Sequence, residues 1–504
     1  MHLKKRLIIL LLMSFYASFL PAQKAEYIWT FGDSAGINFN NLSTPQPITT
    51  SMRSRGSCVS ISDSLGNLLF YANTRAATPG YTTKVYNKLN QEMSNCNNVV
   101  GDGWYNELLI LPYPDHSNLF YLFTLDLVNN WGLYYSIVDL NLNNGLGDVS
   151  VKNQRLDYRY WADELRAIKH ANGRDWWIFL RTEGNNFDSN YYKYLVTPFG
   201  IDSLPSQQIG LGSQTGFIEY KWNKVGDRFA MVNFAGLIEM YNFDRCSGMF
   251  YNPVTIRQPV LVGLAPSIWS CEFSASGNFL YVSANPGQPD SSRLIQIDLR
   301  NYPNNITQDT LWATYEPKYT AGALKRGPDD KIYFSCAYVG ATGNNYPYAD
   351  TMYNQYNMNL GVINSPDSLG LACDFQPWSF YLGGKRTYWG LPNNPDYDMG
   401  PVVGSICDSL STGIASINDT KGVIKKVFPN PNSGAFYLEL KQTFSEDVYA
   451  ELYSLQGKLC ARQLLDNSHY TTAIRFDSVS SGVYILKLRS PNSNLGTMKI
   501  VIAK

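Results

Sequence analysis

Carboxylates are the side chains in this sequence whose type and placement come nearest to a catalytic set. Asp163 with Glu164, Glu219, Glu272 and Asp374 are the candidates, because two carboxyl groups flanking a glycosidic bond suffice for general acid and base work. Glu219 and Glu272, however, occupy matching places at the start of two similar hairpins. An active site breaks the symmetry of a repeat, so these two read instead as hydrogen-bond acceptors between neighbouring repeats. The four histidines offer little more: His2 lies in a leader, His116 in a turn and His469 near the C-terminus. His170 stands beside Lys169 and ahead of Arg174 and Asp175, but in a turn region, where a structural role is the simpler reading. No GxSxG elbow, HExxH helix or phosphate-binding GxxxxGK[ST] loop occurs. Asp329-Asp330 is a turn pair without a DxDxDG loop, and no CxxC or His cluster suggests zinc. No catalytic residue, metal or cofactor is therefore assigned.

What these residues sit on is a repeat. Six segments share one pattern of apolar strand, short polar turn and second apolar or aromatic strand: CVSISDSLGNLLFYAN, LLILPYPDHSNLFYLFTLD, AIKHANGRDWWIFLRT, IEYKWNKVGDRFAMVN, CEFSASGNFLYVSA and ALKRGPDDKIYFSCAY. Their turns fall at Gly66, Asn118, Gly173, Gly226, Gly277 and Asp330, at intervals of 51 to 55 residues. A hairpin cannot bury its own apolar face, but copies stacked radially can. With a further strand after each hairpin and one more per unit, four-stranded blades of an all-β propeller are expected. One more interval leads to Gly383-Gly384. Seven blades are favoured, with the leading strand Tyr27-Ile28-Trp29-Thr30-Phe31 completing the blade that a C-terminal hairpin begins. Six blades with the terminal segments as a plug or cap is the alternative.

Composition bounds the partners. Acids and bases balance at 41 each, and only 16% of residues are charged, so no basic face for nucleic acid is expected. Lys4, Lys5 and Arg6 precede an apolar run, Leu7 to Leu20, whose 14 residues fall short of the ~20 that span a bilayer. With Ala22 as the cleavage point, residues 1–22 read as a signal peptide, and no later stretch reads as a membrane span. Eight cysteines suit an oxidising compartment. Cys58 with Cys96 and Cys373 with Cys407 are the candidate pairs, chosen for closeness in the chain; buried free thiols are the alternative.

After residues 23–400, the propeller, comes a linker of small and polar residues, 401–426. Residues 427–504 carry short alternating strands and are expected to form an antiparallel β-sandwich. Here VFPNPNSGAFYLEL, LYSLQGKLC, SGVYILKL and MKIVIAK closely resemble the type A C-terminal sorting domain of the type IX secretion system. Matching positions are Pro429, Asn430, Pro431, Gly434, Gly457, Gly482, Tyr484 and Lys504. The resemblance implies the secretion machinery as partner, passage through the periplasm and delivery to the outer cell surface or the medium.

The segments WTFGDSAGINF, LGVINSPDSLGLAC and YWGLPN resemble propeller regions of surface proteins from bacteria using that system, which implies a location and no reaction. Asp followed by Ser or Thr and a small or apolar residue resembles the O-glycosylation acceptor of the same group, marking Ser64, Ser203, Thr310, Thr351, Ser368 and Ser409. Aromatic residues are the better lead to function. Trp104-Tyr105, Trp131, Tyr160-Trp161 and the insertion 344–359, with Tyr346, Tyr348, Tyr353 and Tyr356, lie in or near loops and suit sugar or peptide contacts. Trp176-Trp177 belong to a repeat strand and read as core. The expectation is a non-catalytic binding or structural scaffold for an extracellular glycan or protein, with a propeller enzyme acting on glycans or esters as the alternative.

Overall fold

The computed structural model describes residues 24–502 apart from 75–81, 103, 129–130, 184–187, 213–216, 260–266, 286–291, 315–318, 339–350, 409–422, 455–458, 467–468 and 491–492. The signal-peptide expectation for 1–22 lies outside the described residues. The chain divides into two units, 1–411 and 412–504.

In the first unit, seven antiparallel sheets follow one another, each made of strands consecutive in the chain. Blade 1 (residues 28–53) has three strands, and blades 2 (58–100), 3 (108–157), 4 (166–208), 5 (218–257), 6 (267–314) and 7 (319–381) have four each. The arrangement is a seven-bladed β-propeller. The six hairpins read from the sequence are the first two strands of blades 2 to 7. Their turns need left-handed backbone: Gly226 sits at φ 80°, where a Cβ would also meet Arg245 Cδ at 2.8 Å. First strands such as Cys58–Ser62 and Ile218–Trp222 are buried nearly throughout. Fourth strands such as Gly200–Gln208 and Asn305–Thr314 are largely exposed. Burial thus falls from axis to rim, as radial stacking of apolar faces requires.

The closure differs from the expected one. The leading strand Ile28–Phe31 turns at Gly32 and pairs with Asp33–Asn38, so it opens blade 1 instead of completing blade 7. Gly383-Gly384 is no hairpin tip but the turn after blade 7's outer strand, Phe375–Tyr381. Blades 1 and 7 meet through side chains. Trp29 and Phe39 each pack edge-on against Tyr333 at 5.5 Å, within one buried cluster that includes Phe31, Leu360 and Trp389.

Residues 386–402 then run along the axis. Asn393 is buried, and its Nδ2 donates to the carbonyls of Asn106 (3.3 Å), Leu108 (2.8 Å) and Leu165 (2.7 Å). Asn394 Oδ1 accepts from Ser60 N–H at 3.0 Å, and Tyr397 Oη donates to Ile110 O at 2.8 Å. Inner strands present unpaired backbone groups to the channel, and such groups need partners when buried. Here the chain's own Asn and Tyr residues supply them on blades 2, 3 and 4. The molecule therefore combines seven blades with the terminal plug that the six-blade alternative contained.

One disulfide is formed, Cys246–Cys407, with Cα atoms 5.7 Å apart. It fastens the end of the axial segment to the third turn of blade 5 and is worth about 2–4 kcal/mol. Neither predicted pair exists. Cys58 lies on the first strand of blade 2 and Cys96 just before the fourth, about 14 Å apart by strand spacing, beyond the ~7 Å reach of a disulfide. Cys373 lies in a turn of blade 7 and packs in a separate cluster with Tyr281. Cys58, Cys96, Cys271, Cys336 and Cys373 are buried free thiols.

The second unit is a β-sandwich. One sheet holds Ile424–Phe428, Ala435–Leu440 and Thr471–Arg475; the other holds Leu459–Leu464, Tyr449–Ser454, Gly482–Ser490 and Ser493–Ile502. Alternating side chains Phe436, Leu438, Leu440, Ala450, Leu452, Leu486 and Leu488 fill the space between them.

Candidate functional site

The inner strands place charged side chains at recurring positions along the axis, and strand alternation aims each set one way. From blade 4 to blade 7 these form a chain of opposite charges. Arg166 Nε donates to Glu164 Oε1 at 2.8 Å and its Nη2 to Glu219 Oε1 at 3.3 Å. Lys221 Nζ lies 3.1 Å from Glu219 and 3.4 Å from Glu272. The Arg326 N–H donates to Glu272 Oε2 at 3.1 Å, and Lys325 Nζ reaches Glu26 at 3.3 Å. Burial would raise Glu272, but Lys221, Arg326 and Lys325 together hold it below its ordinary value. Burial pushes Glu164 up to about 7 against the pull of Arg166, and Glu26 up to about 7 against Lys325. Burial also lowers Lys325.

Each carboxylate in this chain touches a cation, and several bridge two blades. Glu164 Oε1 also accepts from Tyr220 N–H of blade 5 at 3.3 Å. Glu219 and Glu272 thus act as acceptors between blades. Asp374 stands apart at the rim of blade 7, in left-handed backbone, accepting from Gln376 Nε2 at 2.6 Å.

At the end of the axis where the inner strands begin, the materials change. Tyr105, Phe217, Trp269 and Trp389 form a chain of rings with centroids 5.1, 4.4 and 5.5 Å apart. The Arg55 guanidinium lies 4.2 Å over Trp389 and 5.1 Å from the ring of Trp104. Trp104 is 47% exposed and Trp131 50%; Trp131 packs edge-on against Tyr160 at 5.2 Å. Beneath them Glu107 and Asp163 are buried. Glu107 accepts from the Tyr105 N–H at 2.9 Å, and Asp163 from the Asn106 N–H at 3.3 Å. Burial and the nearby Asp102 push Glu107 up to about 7; burial and Glu107 push Asp163 well above its ordinary value. Two mutually repelling buried carboxyls each disfavour the other's ionisation.

Other predicted residues disperse. His170 is structural: its Nδ1 accepts from Asn172 N–H at 3.1 Å, its Nε2 bonds the Cys246 carbonyl at 3.0 Å, and burial lowers its pKa. Tyr105, Trp161, Trp176 and Trp177 are buried. Tyr353 is exposed beneath the Arg386 guanidinium (4.4 Å), and Tyr356 packs edge-on against Trp378 at 5.0 Å. Tyr346 and Tyr348 lie outside the described residues, as do Ser409, Gly457 and Lys504. Ser64, Ser203, Thr310 and Thr351 are exposed, and Ser368 is half-buried. Arg55, Glu107, Trp389 and Asn393 escaped the sequence reading; the closing YWGLPNNP, dense in ring and amide side chains, held the available signal.

In the sandwich, the segment Pro429-Asn430-Pro431 is bonded to the last strand. Asn430 Oδ1 accepts from Val501 N–H at 2.8 Å, and Asn432 N–H donates to Val501 O at 3.0 Å. Gly434 follows at φ 100°, Gly482 opens a strand, and Tyr484 Oη donates to Ser480 O at 3.0 Å.

Residues 426–503 match the secretion system C-terminal sorting domain, the type IX export signal. The protein is accordingly exported to the cell surface or extracellular space. No match is found among curated proteins. Among solved structures, the chain is similar to the periplasmic gluconolactonase of Pseudomonas aeruginosa, with 9% identity over 73% of this chain and 99% of that one, at a TM-score of 0.43. It is also similar to the β-propeller domain of Cps50 (Swd1) from Myceliophteria thermophila, with 10% identity over 62% and 92%, at 0.33. A thermostable family-43 glycoside hydrolase gives 12% identity over 46% and 83%, at 0.29. Among the described residues no helix is long and apolar enough to cross a membrane.

Proposed function

We propose that this exported propeller is a recognition scaffold whose binding face is the aromatic end of the axis, around Trp104, Trp131, Tyr160 and Arg55. One observation carries the reading: segment 386–402 takes up inner-strand hydrogen bonds along the axis, so at the aromatic end a ligand meets rings on a rigid rim. Exposed rings of this kind give large contact area at low entropic cost and suit sugar or peptide partners. A glycan array run with the purified protein, alongside a hydrolase panel, tests it. Binding without turnover, weakened by Trp104→Ala, is expected; turnover of a glycan or ester would replace the reading.

A second reading has its own support. Glu107 and Asp163 share a buried environment under the same rim, and such a pair serves acid and base chemistry. Loss of a measured hydrolytic activity in Glu107→Gln, with binding retained, would favour it. We further propose O-linked glycan at Ser64, Ser203, Thr310, Thr351 or Ser368, for which an intact mass equal to the polypeptide alone would be decisive against.

A further inference from the structure

The axial segment fills only part of the channel. Its Asn and Tyr side chains bond the inner strands of blades 2, 3 and 4, and its carbonyls at Trp389 and Asn394 accept from Ala323 N–H (2.7 Å) and Lys325 Nζ (3.1 Å) of blade 7. Beside it, where the inner strands end, lies a cavity of about 530 Å³, lined by blades 4 to 7, by Glu26 and Tyr27, and by residues 394–402. That volume falls within the range of small-molecule sites, roughly 300–1,000 Å³. We propose that this cavity binds a small carbohydrate bearing a carboxylate, of the uronic acid type, independently of the aromatic end.

Three features carry the assignment. First, the walls hold buried donors without partners. Among the described residues, Trp222 Nε1 and Arg326 Nη1 make no hydrogen bond, though both residues line the cavity. An unmade hydrogen bond of this kind is destabilising, and acceptor oxygens of a ligand would satisfy it. Second, among the described residues the guanidinium groups of Arg245 and Arg326 make no ion pair closer than 3.8 Å. Arg326 Nε lies 3.8 Å from Asp330, whose carboxylate Lys224 already holds at 2.8 Å. Among the described residues, Arg245 donates to the carbonyls of Lys169, His170 and Gly400. A carboxylate offers Arg326 the paired acceptors a guanidinium prefers. Third, the lining also includes Tyr27, Trp222, and Asp396 and Asp398 of the axial segment. Rings stack on sugar faces, and carboxylates accept from sugar hydroxyls.

Titration calorimetry of the exported protein with glucuronate, glucose and inorganic phosphate tests this. Expected are glucuronate binding, at least tenfold weaker binding of glucose and phosphate, and at least tenfold loss in Arg326→Gln. If Arg326→Gln fails to fold, Trp222→Phe, which removes the indole N–H, should give the loss instead. Absence of glucuronate binding, equal binding of glucose or phosphate, or full affinity in a folded variant would overturn the proposal.

Discussion

Where the inner strands begin, Glu107 and Asp163 lie side by side under Trp104 and Arg55. Where they finish, Glu272 is held among Lys221, Lys325 and Arg326. Both ends bury carboxyl groups, yet burial and neighbouring acids raise Glu107 and Asp163, whereas three cations hold Glu272 below its ordinary value. Burial alone does not decide the direction. The recurring inner-strand positions that pair Glu219 and Glu272 with cations supply none to Glu107 or Asp163: among the described residues no ion pair reaches either, although Glu164, next to Asp163, is held by Arg166. Repetition therefore makes the charged end a structural brace, and its breakdown makes the aromatic end chemically distinct.

The sharpest way to break this contrast is at Arg166. Arg166→Met leaves Glu164 and Glu219 without it in a buried site, and about 3–5 kcal/mol of stability should be lost in denaturant unfolding. Retention of full stability would mean that the ion-pair chain braces nothing. A smaller loss, about 2 kcal/mol, is expected for Asn393→Ala, which strips a donor from three buried carbonyls; increased amide exchange in the inner strands of blades 3 and 4 should accompany it.

Glu107 yields a sign rather than a size. Its folded pKa is raised to about 7, so the protonated form is favoured on folding. The stability it contributes is full below the ordinary carboxyl range and is lost as pH rises toward and through about 7. Glu107→Gln should flatten that part of the pH profile of thermal unfolding, and an unaltered slope would show that the proton resides elsewhere. The smallest structural effect belongs to Trp104→Ala. Half-exposed, it should shift stability by less than about 0.5 kcal/mol while weakening ligand binding at the rim.

The six hairpins were legible because turn residues at regular intervals force the chain to reverse, and Gly66, Gly173, Gly226 and Gly277 all adopt the left-handed backbone that such turns use. The sandwich was legible for the same reason, through alternation of residues such as Phe436, Leu438 and Leu440. Closure was not. Asn393 works by single polar contacts to strands more than two hundred residues away, and one amide leaves no period to detect. The Cys246–Cys407 bridge spans 161 residues, so closeness in sequence misdirected the pairing. Arg55 and Trp389 meet only because the ring brings both chain ends together.

The axial segment has a consequence for biogenesis. All seven wedges are encoded before the pin that holds them, so a nascent chain carries every blade before it owns a hub. Until residue 393 joins the fold, the carbonyls of Asn106, Leu108 and Leu165 lack the donor that ties them to the hub. A cut between 381 and 402 in the finished protein should likewise loosen the middle first, leaving the rim of each wedge intact.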